Sequence, residues 1–248
     1  FPKFEGPPTH RFKPSGPPSQ SPLLFGSTLV WSVGKTTYGL SASTGEVLWE
    51  NSNKEGYNDH SLRQVTLGDR RLAFVAGHRY NNPSNVRLID PASGKSLWTE
   101  QVGHLGVYEG RFANTLAITG DKLVAFQAHV PKPDPKTGRI NKDEVTHHIH
   151  VWRLSTGGIE HLWQDNHLSP DEGPHLAIGD SVVYGVGRQL VRCLDLETGK
   201  VLGEITKDDF PHPPGSSYGD APGSNPLLIV AGDKLILSPE GQHGKHGF

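Results

Sequence analysis

The chain has 248 residues, enough to bury a full hydrophobic core. Its net charge is −2 with both signs interspersed, and 20% of residues are charged. That excludes a basic nucleic-acid-binding or anionic-membrane surface, and no apolar run approaches a membrane span of about 18 residues. Gly 30 and Pro 20 suit many short strands joined by many turns. The single cysteine, Cys193, cannot form an intrachain disulfide.

Residues 1–20 hold Pro2, Pro7, Pro8, Pro14, Pro17 and Pro18. Proline removes ladder donors, so this segment is expected to be an extended arm or linker. From residue 21 the chain repeats itself. A short apolar strand leads to Thr-Gly or Ser-Gly and then to another strand, usually ending in Trp. The copies run Thr36 to Trp49, Asn85 to Trp98, His148 to Trp163 and Gln189 to Gly203.

Gly-Asp or Gly-Ser dipeptides at Gly26, Gly68, Gly120, Gly179 and Gly232 mark a second turn in each copy, at spacings of 42, 52, 59 and 53 residues. Four-stranded propeller blades need roughly 40–50 residues, so the longer intervals carry loop insertions. The expected fold is all-β, a β-propeller of four-stranded antiparallel blades. Blades are placed at 21–52, 62–102, 110–165, 173–206 and, in part, 224–248: four blades and the start of a fifth, an incomplete propeller. Raw β edges would then leave the segment poorly soluble or self-associating. The 131–146 insertion, rich in Pro and charge, reads as an exposed excursion.

The repeated residues have local physical roles. The turn glycines Gly45, Gly94, Gly157 and Gly199 are expected at positive φ. Trp49, Trp98 and Trp163 are expected to fill the wedge between blades, and Gly203 in the same slot of the fourth copy should pack less well.

LIDPASGKSLW (Leu88 to Trp98) and CLDLETGKVL (Cys193 to Leu202) carry a resemblance to the PQQ-like repeat of the quinoprotein alcohol dehydrogenase-like propellers. In its Asp slot the four copies read Ser41, Asp90, Arg153 and Asp195. The family holds quinone-dependent dehydrogenases and non-catalytic propellers, the lipoprotein of bacterial outer-membrane assembly among the latter. The resemblance implies an extracytoplasmic protein, periplasmic or secreted. A dehydrogenase of this family carries adjacent cysteines beside the quinone and acidic ligands around calcium. Cys193 stands alone in a packing slot, so no cofactor is expected, with PQQ and calcium belonging only to the dehydrogenase alternative. A third reading is a carbohydrate-binding or carbohydrate-processing propeller.

Other motifs are thin. His148 and His150 share one strand face, which suits zinc or copper, but a polar strand edge is the plainer reading, and no metal site or catalytic residue is assigned. Gly215 to Gly219 spells GxSxG, but prolines replace the strand and helix that a nucleophile elbow needs.

Loops between the last strand of one blade and the first of the next gather on one face of a propeller, where binding residues concentrate. They are placed at Ser52–Ser61, Gly103–Arg111, Asp165–Pro174 and Lys207–Ser224. They offer Tyr57, Asp59, His60, Tyr108, Glu109, Arg111, Asp171, Glu172, Tyr218 and Asp220 as candidate partner-binding residues. A protein or peptide partner is the expected occupant and a small ligand the other possibility.

Overall fold

A computed structural model describes residues 21–53, 57–78, 84–105, 116–129, 134–137, 146–168, 175–186, 190–206, 227–231 and 234–238. Every regular element among them is a strand. β1 (Leu23–Phe25), β2 (Thr28–Val33), β3 (Thr36–Ser41) and β4 (Val47–Ser52) form one antiparallel sheet in chain order. β5 (Asn58–Leu67), β6 (Arg70–His78), β7 (Ser84–Ile89) and β8 (Ser96–Val102) form the next. After β9 (His104–Leu105) come β10 (Leu116–Thr119), β11 (Lys122–His129), β12 (Thr146–Ser155) and β13 (Gly158–Leu168), again in order. β14 (His175–Ile178), β15 (Val182–Val186), β16 (Leu190–Asp195) and β17 (Val201–Thr206) make a fourth sheet, and β18 (Leu227–Ala231) pairs with β19 (Lys234–Ser238). The fold is therefore all-β, built of the four-stranded antiparallel blades of a β-propeller. Among the described residues no helix is long and apolar enough to cross a membrane.

The chain divides into two compact units. Residues 1–102 with Ser155–Gly158 form one, and residues 103–154 with 159–248 form the other. In the first, Phe25, Val30, Leu62, Ala73, Val75 and Ile89 make a buried cluster with Leu23 and Trp49 packed on it. In the second, Val124, Phe126, Ile149, Val151, Leu176, Val183, Leu194 and Leu196 do the same, with Trp163 against them. Central strands are covered on both faces: every residue of β7 is buried, whereas outer β4 is mostly exposed. Burial on both faces is not apolar throughout, since Ser84, Asn85 and Arg87 of β7 are buried beside Val86, Leu88 and Ile89.

Gly26, Gly68 and Gly120 take positive φ in two-residue hairpins, as the dipeptides implied. The Thr-Gly turn is longer, and the Asp slot explains it. Asp90 Oδ1 accepts from the backbone N–H groups of Ala92 and Ser93, at 2.9 and 3.2 Å. Asp195 Oδ1 accepts from those of Glu197 and Thr198, and from the Thr198 hydroxyl at 2.7 Å. Ser41 Oγ accepts from Thr44 N–H in the first blade. Arg153 has no acceptor, and the third blade tightens to a turn at Thr156–Gly157 between Ser155 and Gly158. Positive φ was expected at Gly157. It falls on Gly158 instead, because the shorter turn moves the irregular residue by one.

The Thr198 hydroxyl, then its backbone N–H, holds the Asp195 carboxyl below its ordinary pKa of 3.8. A depressed folded pKa stabilises above the unfolded value and loses that contribution as pH falls through the folded one. Asp195→Ala should therefore destabilise the chain near neutrality, by an amount that shrinks as pH falls and the carboxyl takes up its proton. Urea unfolding at about pH 6 and about pH 2.5 reads the difference.

The ladder slips by one residue at the same place in three blades, between Gly39 and Leu40, Leu88 and Ile89, and Cys193 and Leu194. These are β-bulges, with Leu48, Leu97 and Leu202 as the extra residues. Each bulge precedes the Trp slot. Trp49 Nε1 donates to Pro91 O at 3.0 Å, Trp98 Nε1 to Ser155 O at 2.7 Å, and Trp163 Nε1 to Leu196 O at 3.0 Å. Each indole thus reaches from the last strand of one sheet to the Thr-Gly turn of the following one. That is the inter-blade filling the sequence implied. Gly203, which pairs with Cys193, fills nothing, and Leu202 beside it is 53% exposed.

One strand was not foreseen. Gly103–Arg111 was read as loop, but His104–Leu105 forms β9 against Gln127 and Ala128. β11 is twice as long as β10, and its far half needs a backbone partner.

Candidate functional site

Two of the connections are shorter than the sequence suggested. β4 ends at Ser52 and β5 begins at Asn58, so the first inter-blade connection is 53–57, and Asn58–Ser61 are ladder residues. β13 runs on to Leu168, which shortens the third connection from its start. In both cases unpaired backbone groups at the strand ends find ladder partners.

Tyr57 is 5% exposed and Asp59 1%, so both lie inside the fold. A bulge between Asp59 and Ser61 leaves His60 as the extra ladder residue, and bulges re-aim neighbouring side chains. Opposite Asp59 stands Gly77, where a Cβ would meet Asp59 Oδ1 and Tyr57 Cβ at 3.2 Å. Glycine there gives the carboxylate room to turn inward. Tyr108, Glu109, Arg111, Asp171, Glu172, Tyr218 and Asp220 lie outside the described residues, as does the His60 side chain.

Asp59 belongs to a buried polar hub. Arg87 on β7 donates through Nη2 to Asp59 Oδ2, and Thr37 Oγ1 donates to the same oxygen at 3.0 Å. Arg87 Nη1 donates to Asn51 Oδ1 at 2.6 Å. Asn51 Nδ2 in turn donates to Gly94 O at 2.7 Å and Ser96 Oγ at 3.0 Å. One guanidinium so joins strands of two sheets. Burial pushes the Asp59 carboxyl above its ordinary range, and Arg87 and Thr37 pull it back. Asp59 Oδ1 and Arg87 Nε are buried without a hydrogen-bond partner.

The second unit repeats the device. Arg192 Nη1 donates to both oxygens of Asp165, at 3.2 and 3.0 Å, and Arg192 Nε to Glu204 Oε1 at 2.7 Å. Arg192 loses some basicity to burial, but Asp165 and Glu204 outweigh this and raise its pKa. Sequence reasoning missed both hubs, although the signal is present. Arg87 and Arg192 each stand three residues before the turn Asp. Asn51 and Asp165 each stand two residues after the Trp. In the third copy the arginine slot holds His150.

Chemically, Asp59 faces Arg87 one to one and Arg192 faces the two carboxylates of Asp165 and Glu204, so each of these charged groups is engaged by one of opposite sign. Cys193 is a free thiol whose pKa burial raises, against a hydrogen bond with Tyr184, which makes it a poor nucleophile. Among the described residues no group of three or more His, Cys, Asp or Glu is placed to hold a metal ion. Asp59 and Asp165 are both engaged by arginine, so these donors do not fit a calcium–quinone pair. An open depression of about 390 Å³, lined by Ser21, Leu23, Leu62, Arg63 and Gln64, lies in the first unit and holds none of the residues expected to bind a partner.

The family model described as outer membrane protein assembly factor BamB matches residues 10–148. No curated protein matches. Among solved structures, a quinohemoprotein alcohol dehydrogenase from Pseudomonas putida HK5 is 14% identical, with a TM-score of 0.50 over 75% of this chain and 34% of that one. BamB from Moraxella catarrhalis is 15% identical, with a TM-score of 0.40 over 88% of this chain and 69% of that one. Hydrazine synthase from Kuenenia stuttgartiensis is 14% identical, with a TM-score of 0.49 over 69% and 50%. This chain thus spans about a third of the dehydrogenase's length, and at these identities the likeness is one of fold.

Proposed function

Because this chain belongs to the PQQ-like β-propeller family described as outer membrane protein assembly factor BamB, we propose that it is a non-catalytic scaffold of the bacterial cell envelope. It holds a protein or peptide partner on the connections between successive blades. The observation that carries this reading is the fate of its buried charges. Asp59, Arg87, Asp165 and Arg192 are spent on joining sheets, and the described ends of the first connection, Asn53 and Tyr57, are themselves buried. Anchoring of this kind makes a rigid platform, and rigid platforms with variable connections suit partner binding.

The partner-facing residues are proposed to be Tyr108, Glu109 and Arg111 after β9, with Asp171, Glu172, Tyr218 and Asp220 on later connections. Tyrosine and arginine dominate interface energetics. Tagged chain should retain a partner from solubilised bacterial envelopes, and Tyr108→Ala with Arg111→Ala should weaken capture at least about tenfold, since hot-spot losses reach 2 kcal/mol or more. Undiminished capture by that double variant would remove these residues from the interface. PQQ and calcium added to the same protein provide the other arm. A quinone absorbance with dye-linked alcohol oxidation would replace the scaffold reading by a dehydrogenase. A melting temperature raised by a sugar would replace it by a carbohydrate-binding propeller.

A further inference from the structure

We propose that His150 and His161 form an open copper(II) site on the third blade. His150 lies in the middle of β12 and His161 on neighbouring β13. His150 Nδ1 and His161 Nε2 face each other at 3.0 Å, with ring centroids 5.2 Å apart. Trp152 stacks under His150 at 5.3 Å and meets His161 edge-on at 5.7 Å. His148, on the same face of β12, lies 6.3 Å from His150. Packing therefore fixes the His150 ring, which is 9% exposed, while His161 opens to solvent.

The spacing is compatible with copper(II). Metal–imidazole bonds of about 2.0–2.1 Å that end on nitrogens 3.0 Å apart subtend about 95° at the metal. A tetragonal copper(II) ion takes neighbouring ligands near a right angle. In the metal-free pair one imidazole donates N–H to the other. On binding, that ring's single N–H proton moves through solvent to its far nitrogen, which frees the near lone pair, so two coordinate bonds form with no net proton release and no redox change. With no third donor among the described residues placed to complete a cage, water supplies the remaining positions.

The test is a copper(II) titration of the 248-residue chain, read by electron paramagnetic resonance and tryptophan fluorescence. The first equivalent should show two coordinated imidazole nitrogens and quench fluorescence. Trp152→Phe should lose most of that quenching. His161→Gln alters an exposed side chain and should leave the melting temperature unchanged, yet weaken binding at least tenfold and remove one nitrogen. His150→Gln supplies the same reading from the other ligand. A first equivalent unaltered by His161→Gln, quenching unaltered by Trp152→Phe, or zinc bound as tightly as copper would each overturn the site.

Discussion

Arg87→Ala should destabilise the chain by about 3–5 kcal/mol, a large share of the 5–15 kcal/mol that holds an ordinary domain together. The loss does not measure the attraction between Arg87 and Asp59. It comes from leaving the Asp59 carboxylate, the Thr37 hydroxyl and the backbone and side-chain oxygens of Asn51 buried or half-buried without their common donor. The penalty should also depend on pH. Asp59 already holds its proton more tightly folded than unfolded, because burial outweighs the pull of Arg87. A raised folded pKa means that stability present below the unfolded value is lost as pH rises through the folded one. Removing Arg87 pushes the carboxyl higher still, so the variant should lose more stability at about pH 8 than at about pH 5. Arg87→Met with Asp59→Leu should recover much of the loss, since a well-packed apolar pair avoids the desolvation of both charges. Urea midpoints of the three proteins at the two pH values decide it. A penalty that is the same at both would place the effect in packing and not in the charge.

Trp163→Ala should cost about 3–5 kcal/mol, and Gly199→Ala should cost about 1–3 kcal/mol for a related reason. The indole of Trp163 lies on the turn of the following sheet, where it donates to Leu196 O. A Cβ on Gly199 would fall 2.6 Å from Trp163 Cδ2, and Gly199 has φ +70, where a side chain is strained in any case. The two effects should not add. Once the ring is gone the clash is gone, and Gly199→Ala in the Trp163→Ala background should retain only the backbone cost of about 1 kcal/mol. A double-mutant cycle with additive losses would show that the indole does not occupy the space over the turn. The same cycle at Trp49 and Gly94 should read alike, since a Cβ there would lie 2.4 Å from Trp49 Cδ2.

Much of the architecture was legible because the repeat writes its own strands. Apolar alternation and paired turn signals are local, and they implied the four-stranded antiparallel sheets of consecutive strands that the described residues form. The tryptophans were legible as inter-blade filling for the same reason: three copies put a large ring in one slot. β9 was not legible, because a two-residue strand has no periodicity and exists only where β11 offers unpaired backbone. The candidate site was misjudged at its start. Tyr57 and Asp59 look like loop residues in a polar stretch, Tyr57-Asn58-Asp59-His60-Ser61. What turns them inward is a bulge and an arginine 28 residues further on.

By itself, then, the sequence determined the class of fold, its four-stranded antiparallel blades and the positions of the Thr-Gly turns, all of which follow from residues within a few positions of one another. Only the tertiary structure decided that Arg87 and Arg192 close buried hubs, that His150 meets His161, and that each Trp ends on a particular carbonyl. Those contacts join residues on different strands, several of them on different sheets. No local pattern carries them, because desolvation and packing depend on which groups the whole fold brings together.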